Sequence, residues 1–221
     1  MILFLGDSFT WGQGLFLHKW HEDGSISKKE YKIPPKYNHE LISYEDDEYR
    51  KQHHFPSLVS KHFGKSYCTI WGNGGSNKNI ISILKNLDSQ FYSGVQQTID
   101  LFVIQFTCPT RSFDDVSDEA MENEIRELDE IISSYNKKWI GITWRPEHGN
   151  ILENKFQENF IKLVYNQKSY NNFEEILYCD NNEFTLDRYF TNSINDGHFS
   201  KKGHEFIANS IIKKIENSHI Y

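Results

Sequence analysis

Residues 1–11 read MILFLGDSFTW, and this stretch decides the fold. Four apolar residues, Ile2 to Leu5, run straight into Gly6, Asp7 and Ser8. A short run that is apolar at successive positions suits a strand covered on both faces, as in a parallel sheet flanked by helices. Such sheets place their ligands beyond the carboxyl ends of their strands. The small acidic turn that ends this first strand, with its hydroxyl, is therefore a candidate site before any motif is named.

Four further runs rich in β-branched and aromatic residues lie outward from it: Tyr67 to Trp71, Leu101 to Phe106, Trp139 to Trp144, and Glu175 to Cys179. Segments with helical period separate them. Ile80, Ile81, Leu84, Leu87 and Phe91 share one helical face, as do Met121, Ile125, Leu128, Ile132 and Tyr135. A further helix is expected over Phe156, Phe160, Leu163 and Val164, and another over Phe206, Ile207, Ile211 and Ile215. Parallel neighbours need a crossover, and a right-handed helix supplies it. The pattern predicts a three-layer α/β/α sandwich around a central parallel sheet of about five strands.

At 221 residues the chain suits one α/β domain with a full core. The first crossover is long, and only Phe55 to Phe63 within it reads as an ordinary helix. Residues 18–54 are polar and aromatic with a break at Pro34-Pro35, and are expected to form an insertion over the carboxyl edge of the sheet, either a binding loop or a disordered one.

A net charge of −7, with no concentrated basic stripe, argues against nucleic acid as a partner. The acidic excess is local: Asp114 to Glu130 holds nine carboxylates against one arginine, as expected of a solvated helix face. No apolar run approaches the roughly 20 residues needed to cross a bilayer, and the basic start of a signal peptide is absent. Cys68, Cys108 and Cys179 lie far apart, without a C-x-x-C pair, which suits a reducing compartment. A soluble, cytoplasmic protein is the expectation.

Three stretches carry groups able to do chemistry. Ser8 follows a strand at a turn, where it is either a helix cap or, given a base, a nucleophile. The stretch NDGHFSKKGHEFIA, residues 195–208, offers that base in His198, with Asp196 placed to hold its tautomer and Ser200 as a cap for the last helix. The stretch WGNGGSNKNII, residues 71–81, is a Gly/Asn-rich turn whose amides can approach a ligand closely, with Asn73 and Asn77 as side-chain donors. It has neither the G-K-[ST] of a phosphate loop nor the spacing of a dinucleotide fingerprint.

Together these stretches resemble the SGNH hydrolase superfamily, the GDSL-type esterases and lipases. Gly6-Asp7-Ser8 matches the family's first block, and Phe9-Thr10-Trp11-Gly12 after it looks typical. Asp196, His198 and Gly203-His204 match the last block, and the Asn73 to Asn77 turn is similar to the second, whose glycine amide lines an oxyanion hole. The resemblance covers nearly all of the chain outside residues 18–54. It implies a flavodoxin-like fold and a serine esterase without cofactor or metal, in which His198 activates Ser8. The oxyanion would be held by the amides of Ser8 and of Gly74 or Gly75, with Asn77 nearby. A small acyl group on a polar carrier, such as an O-acetyl sugar, fits the polar insertion better than a lipid chain. Acyl transfer to a sugar hydroxyl, or an idle binding domain, remain as alternatives.

Two departures stand out. The usual Asp-x-x-His of the last block is one residue shorter here, so the Asp-Gly-His form assigns Asp196 as the orienting acid, while Asn195 stands three before His198. The third block, normally G-x-N-D after the third strand, reads Phe106-Thr107-Cys108-Pro109-Thr110-Arg111. The oxyanion-hole asparagine is thus missing, leaving Asn77, Asn73 or the Thr107 hydroxyl as substitutes. A similar T-x-P-x-R occurs in some bacterial and phage members, where it suggests a subfamily trait. Arg111 either binds a substrate carboxylate or phosphate, or pairs with the acidic helix after it; Asp7 and Thr107 are also expected beside the substrate. His18 and His21, and His53 and His54, lack a third metal ligand and are expected at the surface, and His204 is expected to be structural.

Overall fold

The structure is a computed structural model that describes residues 1–12, 15, 43–71, 75–87, 94–112, 116–179, 191–193 and 196–220. Most of the expected insertion, Asn73, Gly74, Phe91 and Asn195 lie outside the described residues, as do His18 and His21. Among the described residues four parallel strands, β1 (Ile2–Gly6), β2 (Tyr67–Trp71), β3 (Leu101–Phe106) and β4 (Lys138–Thr143), form the sheet in the order β2-β1-β3-β4. β1 is central, with β2 paired on one side and β3 on the other. The chain leaves β1 for one neighbour and later returns to the other, so its carboxyl end is the point where the connections diverge and a crevice opens.

Alternation along the strands builds two cores. Ile2 and Phe4, Leu101 and Val103, and Ile140 and Ile142 face one side, against Phe55 and Val59 of α3 (Phe55–His62) and Ile207, Ile211 and Ile215 of α9 (Lys201–Asn217). Leu3 and Leu5, Phe102 and Ile104, and Trp139 face the other side. There they meet Ile80, Ile81 and Leu84 of α4 (Asn77–Lys85), Met121 to Ile132 of α6 (Asp118–Ser134) and Leu152 of α7 (Pro146–Lys155). Because side chains alternate with period two, one apolar strand seals both layers at once. The expected three-layer α/β/α sandwich is what forms.

The fifth strand differs from expectation. Glu175 to Cys179 belong to a helix, α8 (Phe173–Cys179), whose first turn is capped by Asn172 accepting from the Glu175 N–H at 2.9 Å. The outer edge of β4 is instead met by a single parallel bridge, Gly141 to Phe160, with Gly141 N–H donating to Asn159 O at 2.8 Å. The helix expected over Phe156 to Val164 is therefore absent: α7 ends at Lys155, and β5 (Leu163–Tyr165) and β6 (Lys168–Tyr170) form a hairpin. Its turn residues Asn166 and Gln167 both take positive φ, 48° and 63°, the geometry of a tight hairpin turn.

The tail of the expected insertion is also helical. In α2 (Tyr44–His53), Ser43 caps the Asp46 N–H at 3.2 Å, acidic residues fill the first turn and Arg50, Lys51 and His53 the last, complementing the helix dipole. Arg50 is buried, binds the Trp11 carbonyl and Asp47, and lies 4.3 Å over the Trp11 ring, which stacks on Trp71 at 4.9 Å. This helix thereby braces the turn that follows β1. Three short elements complete the frame of the site: α1 (Ser8–Trp11) and the antiparallel pair β7 (Thr191–Ser193) and β8 (Asp196–Phe199); a further helix, α5 (Val95–Thr98), leads into β3.

Candidate active site

Ser8 opens α1 directly beyond β1 and is 3% exposed. Asp7 caps this turn, one carboxylate oxygen accepting from the Phe9 N–H at 3.0 Å. As the first residue of a helix, Ser8 has an N–H with no acceptor inside the helix. Gly6 is required by close approach: a Cβ there would lie 2.1 Å from Thr10 Oγ1 and 3.1 Å from Gln105 Cβ. The buried Thr10 hydroxyl donates to Gln105 Oε1 at 2.8 Å, which ties the turn to β3. Gly12 ends the turn at a φ of 86°, where its missing side chain leaves room for His54 and Leu15.

His198 reaches this turn from the other end of the chain. Its Nε2 lies 2.8 Å from Ser8 Oγ, across 190 residues of sequence. It stands on β8, just before Ser200, whose hydroxyl accepts from the Gly203 N–H at 3.0 Å and starts α9. The imidazole packs on Phe9 at 4.7 Å between centroids, and Phe9 in turn contacts Trp144 at 4.4 Å and Phe199 at 5.1 Å. Asp196 occupies the alternate position of the same strand, with its side chain outside the described residues. His204 is buried in the α9–α3 contact, its Nδ1 accepting from the Phe55 N–H at 3.2 Å, in keeping with a structural part.

Asn77 does not stand where an oxyanion donor would. Its side chain is fully buried, with Nδ2 2.9 Å from Glu124 Oε2 and 3.1 Å from His148 Nε2. Its Oδ1 accepts from the Thr107 N–H at 2.8 Å and the Thr107 hydroxyl at 3.2 Å. Both ends of the amide are spent inside the protein, so the expectation that Asn77 completes an oxyanion hole is corrected. Thr107 is corrected with it: it is 1% exposed and its donors serve Asn77 rather than a substrate. What this network does is fasten four elements, the start of α4, the loop after β3, and the helices α6 and α7. Sequence reasoning missed Glu124 and His148. The signal was available for Glu124, which falls three residues after Met121 and four before Leu128, inside the apolar stripe of an otherwise acidic helix.

Of the two expectations for Arg111, pairing with the acidic helix is not what is found among the described residues. It ends a 3-10 turn at Pro109–Arg111, where Nη1 lies 2.6 Å from Asp7 Oδ2 and 3.5 Å from the Gly75 carbonyl. Asp7, expected at the substrate, is 2% exposed and divides its carboxylate between Phe9 and Arg111. Beside them, Arg145 pairs with Glu174. Burial alone would raise the Cys108 thiol, but hydrogen bonds from Thr110 and the Arg145 guanidinium hold it below its ordinary value.

His54, expected at the surface, is 1% exposed and bonded to the Tyr67 hydroxyl at 3.0 Å. Burial, aided by the nearby Arg50 charge, pushes its imidazole down to about 3, so it is neutral in the fold. Among the described residues no group of three His, Cys, Asp or Glu side chains is arranged to hold a metal ion. No described helix is long and apolar enough to cross a membrane.

No protein-family model matches the chain, and no curated protein matches its sequence. Solved structures do match. A carbohydrate esterase family 2 enzyme with a carbohydrate-binding domain, from Corynascus thermopiles (Myceliophthora fergusii), is similar at a TM-score of 0.60 and 12% identity, covering 100% of this chain and 66% of that one. A GDSL-like lipase from Bacteroides thetaiotaomicron matches at a TM-score of 0.54 and 11% identity over 98% of this chain and 88% of its own. The lipase/acylhydrolase from Enterococcus faecalis matches at 0.53 and 14%, over 98% and 95%. At identities of 11–14% the likeness is one of fold: the chain has the α/β fold seen in GDSL-type, or SGNH, hydrolases.

Proposed function

We propose that this chain is a serine hydrolase of small carboxylic esters, acting on O-acetyl groups of a carbohydrate. The observation that carries the reading is the 2.8 Å contact between Ser8 Oγ and His198 Nε2 at the carboxyl end of the central strand. A turn serine that served only as a cap would have no use for an imidazole brought from 190 residues away. His198 Nε2 takes the Ser8 proton as Oγ attacks the ester carbonyl, then returns it to the leaving alcohol. Water, deprotonated by the same nitrogen, releases the acyl group and restores the hydroxyl. Asp196 is the orienting acid in this reading, two residues before the base on the same strand.

The Ser8 amide and an amide of the glycine turn before α4, that of Gly74 or Gly75, receive the negative charge that develops on the carbonyl oxygen in this reading. The small-acyl preference is supported by the aromatic ring of Phe9, which packs on the imidazole and is itself backed by Trp144. The carbohydrate preference is supported by the esterase among the similar structures. The test is acetate release from acetylated xylan and a chain-length series of p-nitrophenyl esters, by the wild type and Ser8→Ala. Turnover that is fastest on acetate and lost in Ser8→Ala is expected. A preference for long acyl chains would overturn the substrate class, and an active Ser8→Ala protein would overturn the mechanism.

A further inference from the structure

With Asn77 and Thr107 turned inward, the side chain that completes the oxyanion hole has to come from elsewhere. We propose that Arg111 is that donor: its guanidinium bridges the nucleophile turn and the glycine turn, and stabilises the tetrahedral oxyanion formed on Ser8. This rests on the serine mechanism proposed above. Three observations place it there. Arg111 is tied to Asp7, the residue immediately before the nucleophile, and to the carbonyl of Gly75, in the turn expected to supply a hole amide. It thus spans the gap between the two backbone segments that would flank the oxyanion.

The second observation is the side on which it lies. His198 approaches Ser8 with Phe9 and Phe199, which belong to the core beneath α3 and α9. Gly75 leads into α4, which packs on the opposite face of the sheet. The base and the glycine turn that Arg111 contacts therefore come from opposite layers, which suits a reaction in which a proton leaves on one side of the attacked carbonyl and charge gathers on the other. The third observation is capacity: among the described residues only Nη1 of Arg111 is engaged, and a guanidinium carries five N–H donors. At 34% side-chain exposure it borders open space instead of being sealed into the core.

Charge balance gives the arrangement its logic. A buried carboxylate directly before the nucleophile would oppose an oxyanion forming beside it, and Asp7 is 2% exposed. Pairing with Arg111 cancels that charge, while the fork geometry leaves donors over for the transition state. The two roles separate in variants that keep the charge balance. Arg111→Lys retains the cation for Asp7 but loses the fork. Asp7→Asn/Arg111→Met removes both charges together, and asparagine caps a helix as well as aspartate does.

The substrate for the test is p-nitrophenyl acetate, which has no anionic group for an arginine to recognise. Both variants should lose on the order of 10²-fold in kcat, with KM within about threefold of wild type, as expected for an interaction made only in the transition state. Either variant keeping kcat within about threefold of wild type would overturn the assignment and reduce Arg111 to a partner for Asp7. A loss confined to KM would overturn it as well. Ser8→Ala runs alongside: if the wild type shows no turnover, or Ser8→Ala keeps it, the serine reading itself falls and takes the assignment with it. Thermal midpoints of both variants close to wild type exclude a folding loss as the cause.

Discussion

Asn77→Ala should destabilise the protein far more than the loss of a helix cap. The side chain is fully buried and takes part in four hydrogen bonds, to Glu124, His148 and twice to Thr107. Alanine leaves the Thr107 N–H without its 2.8 Å acceptor and Glu124 Oε2 without its 2.9 Å donor, both in the interior. A buried polar group stripped of its partner costs about 1–3 kcal/mol, so these two together cost about 2–6 kcal/mol. An ordinary cap is worth about 1 kcal/mol, and a whole domain is stable by only about 5–15 kcal/mol. For a domain of this length each kcal/mol moves the thermal midpoint by about 2–4 °C, so the expected fall is on the order of 10 °C. Thermal and urea denaturation followed by far-UV circular dichroism measures it. Glu124→Gln, which keeps an oxygen facing Asn77 Nδ2, should lose less. A midpoint for Asn77→Ala within about 2 °C of wild type would refute the claim that this amide holds the loop after β3 to the helices.

Other outcomes follow from the same geometry. His54 is held neutral in the fold at about 3 against an ordinary 6.5, so the unfolded chain binds the extra proton between those values. Stability is therefore full above about pH 6.5 and falls as pH drops, by up to about 1.4 kcal/mol per unit from this group; His54→Gln should flatten the slope of urea-derived stability between pH 6 and 4, and an unchanged slope would contradict it. Gly6→Ala puts a methyl 2.1 Å from Thr10 Oγ1, displacing α1 and Ser8 with it, and kcat on p-nitrophenyl acetate should fall by about 10²-fold; a fully active Gly6→Ala protein would contradict the steric account. Asp196→Asn should lower kcat by up to about 10⁴-fold while Asn195→Ala leaves it near wild type, and the reverse result would move the orienting acid.

The layered core was legible because it rests on period. Ile2 to Leu5 and Leu101 to Phe106 alternate between two faces that are both covered, and the stripes of α4, α6 and α9 repeat at helical spacing. The errors fall where a local signal competed with composition. Asn172 followed by Glu175 is a capping pattern, yet the β-rich Ile176 to Cys179 outweighed it on paper; in the fold the cap wins. Phe156, Phe160, Leu163 and Val164 fit a helical face by count, but Pro146 at the start of α7 sets the helix earlier, and the hairpin turn is Asn-Gln in place of the familiar Asn-Gly. In α2 the buried positions are Asp46 and Arg50, so no apolar stripe announced it.

The site divides along the same line. Ser8 and His198 were legible from short motifs, since a hydroxyl after a strand and an imidazole before a helix need only local sequence. The partners of Asn77 and Arg111 were not. Asn77 meets Glu124 and His148, and Arg111 meets Asp7 across 104 residues, contacts set by how α4, α6 and the loop after β3 converge. A spacing rule cannot contain that information, because each pair comes from elements whose separation along the chain is free to vary.

The central claim is that His198 activates Ser8, and the most direct measurement is covalent labelling with a fluorophosphonate probe followed by peptide mapping. Only a serine whose proton is being taken attacks such a phosphorus centre at a useful rate. The account predicts a single adduct on the peptide containing Ser8, absent in Ser8→Ala and nearly absent in a folded His198→Ala protein. Folded wild-type protein that takes up no label, or label that persists undiminished in His198→Ala, would contradict it.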